Sequence, residues 1–187
     1  YMGCVSMSKA HFGDGKLTKA RFNQATNEAL LELEPIAQEF KQLGWETCIG
    51  ASGSINAVAS VLAAANDGVG GITKQGIDEL IAELIEARSI EQLSLSGLAD
   101  ERRTVFPGGL AILNAIFKAL EIDMMSPSQG ALREGLIFDL LGRQHEEDMR
   151  DQTVASLAER YNVDSAQARQ VRDTTMGLLS QVALDWD

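Results

Sequence analysis

The chain is poor in the residues that build metal centres and disulfide frameworks. Its 187 residues include two cysteines, Cys4 and Cys48, and two histidines, His11 and His145. Two cysteines are too few for a disulfide scaffold. Both fall in runs that read as strands, where reduced, packed thiols are expected. The histidines lie far apart with no ligand spacing around either, which argues against a zinc site. No apolar run reaches the length of a membrane span, and no basic start precedes an apolar signal segment, so a cytoplasmic protein is expected. Basic residues are outnumbered as well: 16 Lys and Arg against 27 Asp and Glu leave a net charge of −11. That balance argues against non-specific binding to nucleic acid or to an anionic membrane surface. It leaves an anionic substrate open, because a local basic cleft can sit in an acidic protein. There is no internal repeat and no low-complexity tract.

The remaining composition, 45% hydrophobic and 23% charged, is ordinary for a globular protein and sufficient for one sizeable core and a partial second unit. The chain opens on Tyr1 in a run, YMGCVSM, that reads as the middle or end of a strand over residues 2–8. A piece of a longer protein is expected. A polar, glycine-rich loop, His11 to Lys16, follows. Thr18 is a candidate N-cap for a long helix whose face carries Phe22, Ala25, Ala29, Leu33, Ile36, Ala37 and Phe40. Pro35 predicts a kink or break, and Gly44 the stop. Trp45 to Ile49 reads as a second strand, then a glycine-serine turn, then a small-residue helix with Ile55, Val58, Val61 and Leu62. Asn66 to Gly71 is a break. An amphipathic helix with Ile77, Leu80, Ile81, Leu84 and Ile85 comes next. Pro107-Gly108-Gly109 opens a helix that is apolar nearly all round and is expected to be central. Ile122 to Met125 reads as a short strand with both methionines in its core. Ser126 to Gln129 reads as a turn, and ALREGLIFDLLG as a helix ended by Gly142.

From Arg143 the composition turns charged and polar. Glu146, Glu147 and Asp148 read as a solvated face. Two further helix patterns carry Val154, Leu157, Ala158 and Tyr161, then Val171, Leu178, Leu179 and Val182, the second capped at Asp164 or Ser165. The order of elements predicts an α/β layered domain over residues 1–142, with an incomplete sheet, and the start of an all-helical domain over 143–187.

The turn Gly50-Ala51-Ser52-Gly53-Ser54 matches no strict phosphate loop. It lacks the lysine of a P-loop, the three glycines of a dinucleotide fingerprint and the final glycine of a nucleophile elbow. It still offers close backbone approach, small hydroxyls and a following helix N-terminus. Its spacing alone favours a strand-to-helix corner capped by Ser52 or Ser54. Arg102, Arg103 and Arg133 have two readings. They are solvated or paired with Glu101 and Glu134, or they point a planar fork at phosphate. The carboxylates form no convincing acid/base pair.

Taken together, YMGCVSM, GWETCIGASGSINAV, ERRTVFPGGLAILNAIF and above all GALREGLIFDLLGR resemble the exopolyphosphatase/guanosine pentaphosphate phosphohydrolase (Ppx/GppA) family. MRDQTVASLAERYNVD resembles the start of the helical domain of its longer members. The resemblance covers essentially the whole chain, with the motifs in order. It implies the second half of an actin-like, ribonuclease-H-like phosphotransferase module. Such enzymes hydrolyse terminal phosphate from inorganic polyphosphate, or the 5′ γ-phosphate of pppGpp, with Mg²⁺ and an acidic general base. A homodimer is implied for the full-length protein. The family's catalytic Glu and its main phosphate loops match nothing in this chain, so the fragment is expected to be inactive alone. Gly50 to Ser54 would line the substrate cleft, Arg102 would contact the anionic or nucleotide substrate, and Arg133 would face the same region. A non-catalytic module that binds a guanosine alarmone or mediates dimerisation is the alternative. A sugar kinase of the same superfamily would need an ATP-site loop and a sugar-binding carboxylate, and neither is found.

Overall fold

A computed structural model describes residues 2–65, 71–144 and 149–182. The chain divides into two compact units, Tyr1–Ala131 and Leu132–Asp187. The break expected at Asn66 to Gly71 falls, except for Gly71, outside the described residues, as does the acidic run Glu146 to Asp148.

The first unit is built around one helix. α5, Phe106–Leu120, buries ten of its fifteen residues, as its nearly uniform apolar sequence requires. Pro107 stands in its first turn, where a missing N–H costs no hydrogen bond. Four helices pack on it: α1, Cys4–Phe12; α2, Lys19–Leu43; α3, Gly53–Ala65; and α4, Lys74–Ala87. α1 corrects the expected strand at residues 2–8. Cys4, Met7, Ser8 and Phe12 recur at intervals of three and four, the period of a helical face, and Met7, Ser8 and Phe12 are buried. The helix also takes in His11 and Phe12, so the loop begins only at Gly13.

α2 starts where Thr18 accepts from the Arg21 N–H at 3.4 Å and ends at Gly44, whose positive φ and N–H to Phe40 carbonyl bond close it. Pro35 does not break it. What changes there is burial: Phe22, Ala25, Ala29 and Leu33 are in the core, whereas Ile36 and Phe40 beyond the proline are exposed. α4 buries Ile77, Leu80 and Leu84, with Ile81 and Ile85 partly covered. Inside the core Asn114 of α5 donates to Thr26 Oγ1 of α2 at 3.3 Å.

The sheet is smaller than expected and mixed. β1, Ile49–Gly50, runs parallel to β3, Met124–Pro127, which pairs antiparallel with β2, Ile72–Thr73. Trp45 to Thr47 stay outside the ladder, β2 carried no sequence signal, and β3 begins two residues later than expected. Ser126 and Pro127, expected as turn, are strand. The β1–β3 register runs to Gly50 opposite Pro127, with the Ser126 N–H donating to the Cys48 carbonyl at 2.9 Å and the Ser128 N–H to the Gly50 carbonyl at 2.8 Å. Paired residues share a face. Ile72 and Met125 are buried on the inner face, and Met124, expected in the core, is 56% exposed on the outer one.

The loop after α1 is pinned electrostatically. Asp14 accepts from both terminal nitrogens of Arg21 and from the Lys16 N–H. The Arg21 guanidinium, then the Lys16 N–H, hold the Asp14 carboxyl at about 2, below its ordinary 3.8. The folded value is the lower one, so this contribution is present above the ordinary value and lost as pH falls towards 2. Thermal melts between pH 5 and 2 should therefore show an acid-sensitive component that Asp14→Asn removes; identical profiles would contradict the assignment.

The second unit is helical: α6, Leu132–Gln144; α7, Met149–Arg160; and α8, Ser165–Val182. α6 runs through Gly142 instead of ending there. Asp164 caps α8, accepting from the N–H groups of Ala166 at 2.9 Å and Gln167 at 3.0 Å. Val154, Leu157, Tyr161 and Val163 line a groove between α7 and α8.

Candidate anion-binding corner

β1 delivers the chain to the base of α3, and the turn Gly50 to Ser54 makes the change of direction. Ser52 is the cap: its Oγ accepts from the Ile55 N–H at 3.1 Å and its carbonyl from the Asn56 N–H at 2.9 Å. Gly53 and Ser54, the first residues of the helix, have no intrahelical acceptor, and no acceptor is recorded for them among the described residues. α3 carries no charged residue, so nothing on the helix opposes the positive end of its dipole. Ser52→Ala should cost about 1 kcal/mol, measured by denaturant titration; no loss would mean that another group caps α3.

Two glycines hold the corner tightly. A Cβ at Gly50 would stand 2.7 Å from Ile55 Cδ1 and would overlap the Met125 sulfur. A Cβ at Gly109 would stand 2.9 Å from Ser54 Oγ, so the first turn of α5 lies directly against the first turn of α3. Gly108 beside it donates its N–H to Ser8 Oγ of α1 at 3.0 Å, and that pair is buried. The Pro-Gly-Gly opening of α5 thus serves close packing of three helix starts. Sequence alone missed this role, since Ser8 and Cys4 were read as strand.

Arg102 meets the same corner. A 3-10 turn, Asp100–Arg102, precedes α5. A Cβ at Gly53 would stand 2.5 Å from Arg102 Nη1 and 2.6 Å from its Cζ, so the guanidinium lies across the glycine. The two adjacent arginines have different roles. Arg103 is paired with Asp100 at 2.5 Å, and not with Glu101. Arg102 is half-buried and has no hydrogen-bond or ion-pair partner among the described residues. An open planar fork against Gly53, at a helix start whose first two N–H groups have no acceptor among the described residues, is a set of donors for an anion. In a chain of net charge −11, this is a local positive exception.

Gly50, Ala51, Ser52, Gly53, Ser54 and Arg102 therefore come together. Arg133 belongs to α6 in the second unit, with an exposed side chain and its Nε 3.4 Å from Glu134. Both cysteines are free and half-buried, and burial pushes the Cys48 thiol up. The donor set does not suit the magnesium that the family resemblance implies. N–H groups and a guanidinium repel a hard dication, which takes oxygen ligands. Among the described residues no three His, Cys, Asp or Glu are grouped to hold a metal ion. No helix there is long and apolar enough to cross a membrane.

Residues 1–144 match the Ppx/GppA phosphatase family. The chain is 46% identical over 186 residues to the guanosine-5′-triphosphate,3′-diphosphate pyrophosphatase of Aeromonas hydrophila, covering 100% of this chain and 37% of that protein. It is 39% identical over 194 residues to the protein of the same name from Aliivibrio fischeri, covering 99% and 37%. Among solved structures, the Ppx/GppA phosphatase of Aquifex aeolicus matches with a TM-score of 0.57 at 21% identity, over 73% of this chain and 46% of that one. An exopolyphosphatase-like protein matches with a TM-score of 0.61 at 18% identity, over 76% and 49%. The chain thus spans little more than a third of the length of the curated relatives it matches.

Proposed function

The chain belongs to the Ppx/GppA phosphatase family, and on that premise we propose that it forms the second α/β part of a phosphohydrolase that removes a terminal phosphate from a phosphate-rich anion. Guanosine pentaphosphate is the preferred substrate in this reading, in keeping with the names of the curated relatives. Inorganic polyphosphate is its competitor.

The observation that carries the reading is the Arg102 guanidinium lying across Gly53 at the start of α3. Phosphoryl transfer depends mainly on positioning and on stabilising charge on the phosphate oxygens. The Gly53 and Ser54 N–H groups and the Arg102 fork supply fixed donors for such oxygens. Gly53 is required there because a side chain would occupy the space of the guanidinium.

None of these donors can take a proton from water, so the corner holds substrate and does not hydrolyse it. Magnesium and an acidic general base would act from elsewhere in the longer enzyme. Arg133 keeps a substrate role only if a second contact reaches it in that enzyme. Phosphate release from guanosine pentaphosphate and polyphosphate, with magnesium, should be absent for this chain and present for the longer family protein that contains it. Sustained turnover by this chain alone would overturn the division of labour. Binding without turnover by the longer protein as well would favour the non-catalytic alarmone-binding module.

A further inference from the structure

We infer that a cavity beside the corner is the base subsite for a guanosine nucleotide, with the carboxamides of Asn56 and Gln129 reading the edge of the ring. The inference rests on the corner being the phosphate site. The cavity has a volume of about 420 Å³ and is lined by Asn56, Ala59, Ser60, Ala63, Pro127 and Gln129. That volume is in the range of small-molecule sites.

Its two walls are tied to the corner by short bonds. On one side the Asn56 N–H donates to the Ser52 carbonyl at 2.9 Å. On the other, Pro127 pairs with Gly50, and the Ser128 N–H donates to the Gly50 carbonyl at 2.8 Å. Asn56 follows Ser52 by four residues, about 6 Å along the axis, a span a ribose can bridge between a phosphate and a base.

The lining suits a flat, neutral, hydrogen-bonding ring. Ala59, Ser60 and Ala63 put no bulky side chain on the α3 wall, so a ring can lie against it. Asn56 and Gln129 have no side-chain partner among the described residues. A carboxamide both donates and accepts, which matches guanine, whose edges carry O6 and N7 acceptors beside N1–H and N2–H donors. No charged residue lines the cavity, so an inorganic polyphosphate chain gains nothing from entering it. The cavity would therefore separate the two candidate substrates: both use the corner, and only the nucleotide uses the cavity.

The test is calorimetric titration of this chain with guanosine tetraphosphate and with inorganic tripolyphosphate. Wild type, Asn56→Leu and Gln129→Ala are compared, with circular dichroism melts to confirm folding. Each variant should weaken the nucleotide about threefold to tenfold, the scale of one neutral hydrogen bond, and leave tripolyphosphate within about twofold. Unchanged nucleotide binding in both variants overturns the base subsite and leaves the corner standing. Parallel loss of both ligands also overturns it, since the residues would then support the corner. If neither ligand binds the folded wild type, the phosphate reading of the corner fails, and the subsite with it.

Discussion

Arg102→Ala is expected to weaken binding of tripolyphosphate and guanosine pentaphosphate by about tenfold to a hundredfold, the scale of hydrogen bonds to a charged partner. The side chain is half-buried and makes no ion pair or hydrogen bond among the described residues, so its removal should leave the melting temperature nearly unchanged. Arg102→Lys should recover only part of the loss, because an ammonium cannot reproduce a planar two-pronged contact. Gly53→Ala should imitate Arg102→Ala by a different route. The nearest atoms to the added methyl are the end of the Arg102 side chain, which is free to move aside. Stability should shift by no more than about 0.5 kcal/mol, as for other surface changes, while the guanidinium leaves the corner and affinity falls. Isothermal titration at two salt concentrations checks both variants. Undiminished affinity in Arg102→Ala would remove this residue from the site.

Gly108→Val is expected to have the opposite profile, with a large loss of stability. A Cβ at Gly108 would stand 2.5 Å from the Ser8 nitrogen and 2.7 Å from the Cys4 carbonyl oxygen. Both are backbone atoms of α1, so the helix itself must move, and the buried bond from the Gly108 N–H to Ser8 Oγ is disturbed with it. Overpacking of this kind costs up to about 3 kcal/mol. At 2–4 °C per kcal/mol for a chain of this length, a cost at the upper end would lower the melting temperature by about 6–12 °C. Adding Ser8→Gly removes the hydroxyl clash but not the two backbone contacts, so it should restore little. A melting temperature within about 2 °C of wild type would show that α1 is not held this closely to α5.

The contrast between Gly53 and Gly108 also shows what the sequence disclosed. Thr18, Gly44 and the Pro-Gly-Gly opening were legible because caps, stops and first-turn prolines act within a few residues. The apolar run of α5 announced its own central position. α1 was misread because a short apolar run fits either period, and only packing of Ser8 and Cys4 against Gly108 decides for the helix. The strands were mislocated for a related reason: two-residue β1 and β2 are defined by their partner β3, not by any local alternation. The exposed Ile36 and Phe40 continue the period of α2 past the point where the core of this unit ends. At the corner, the residue types were legible and their meeting was not. Nothing local links Arg102 to Gly53, and the choice between a solvated arginine and one aimed at the turn is made by the path of the 3-10 turn into α5. The cavity beside Asn56 had no sequence signal beyond a run of small residues.

The most direct test of the central claim is a ¹H–¹⁵N correlation titration of this chain with tripolyphosphate. The amides of Gly53 and Ser54 should move saturably, together with the Arg102 side-chain Nε–H, and should stay in place in Arg102→Ala at the same ligand concentrations. Binding that leaves Gly53 and Ser54 unmoved, or no binding by the folded chain, would contradict the assignment of the Gly50 to Ser54 corner as the phosphate site.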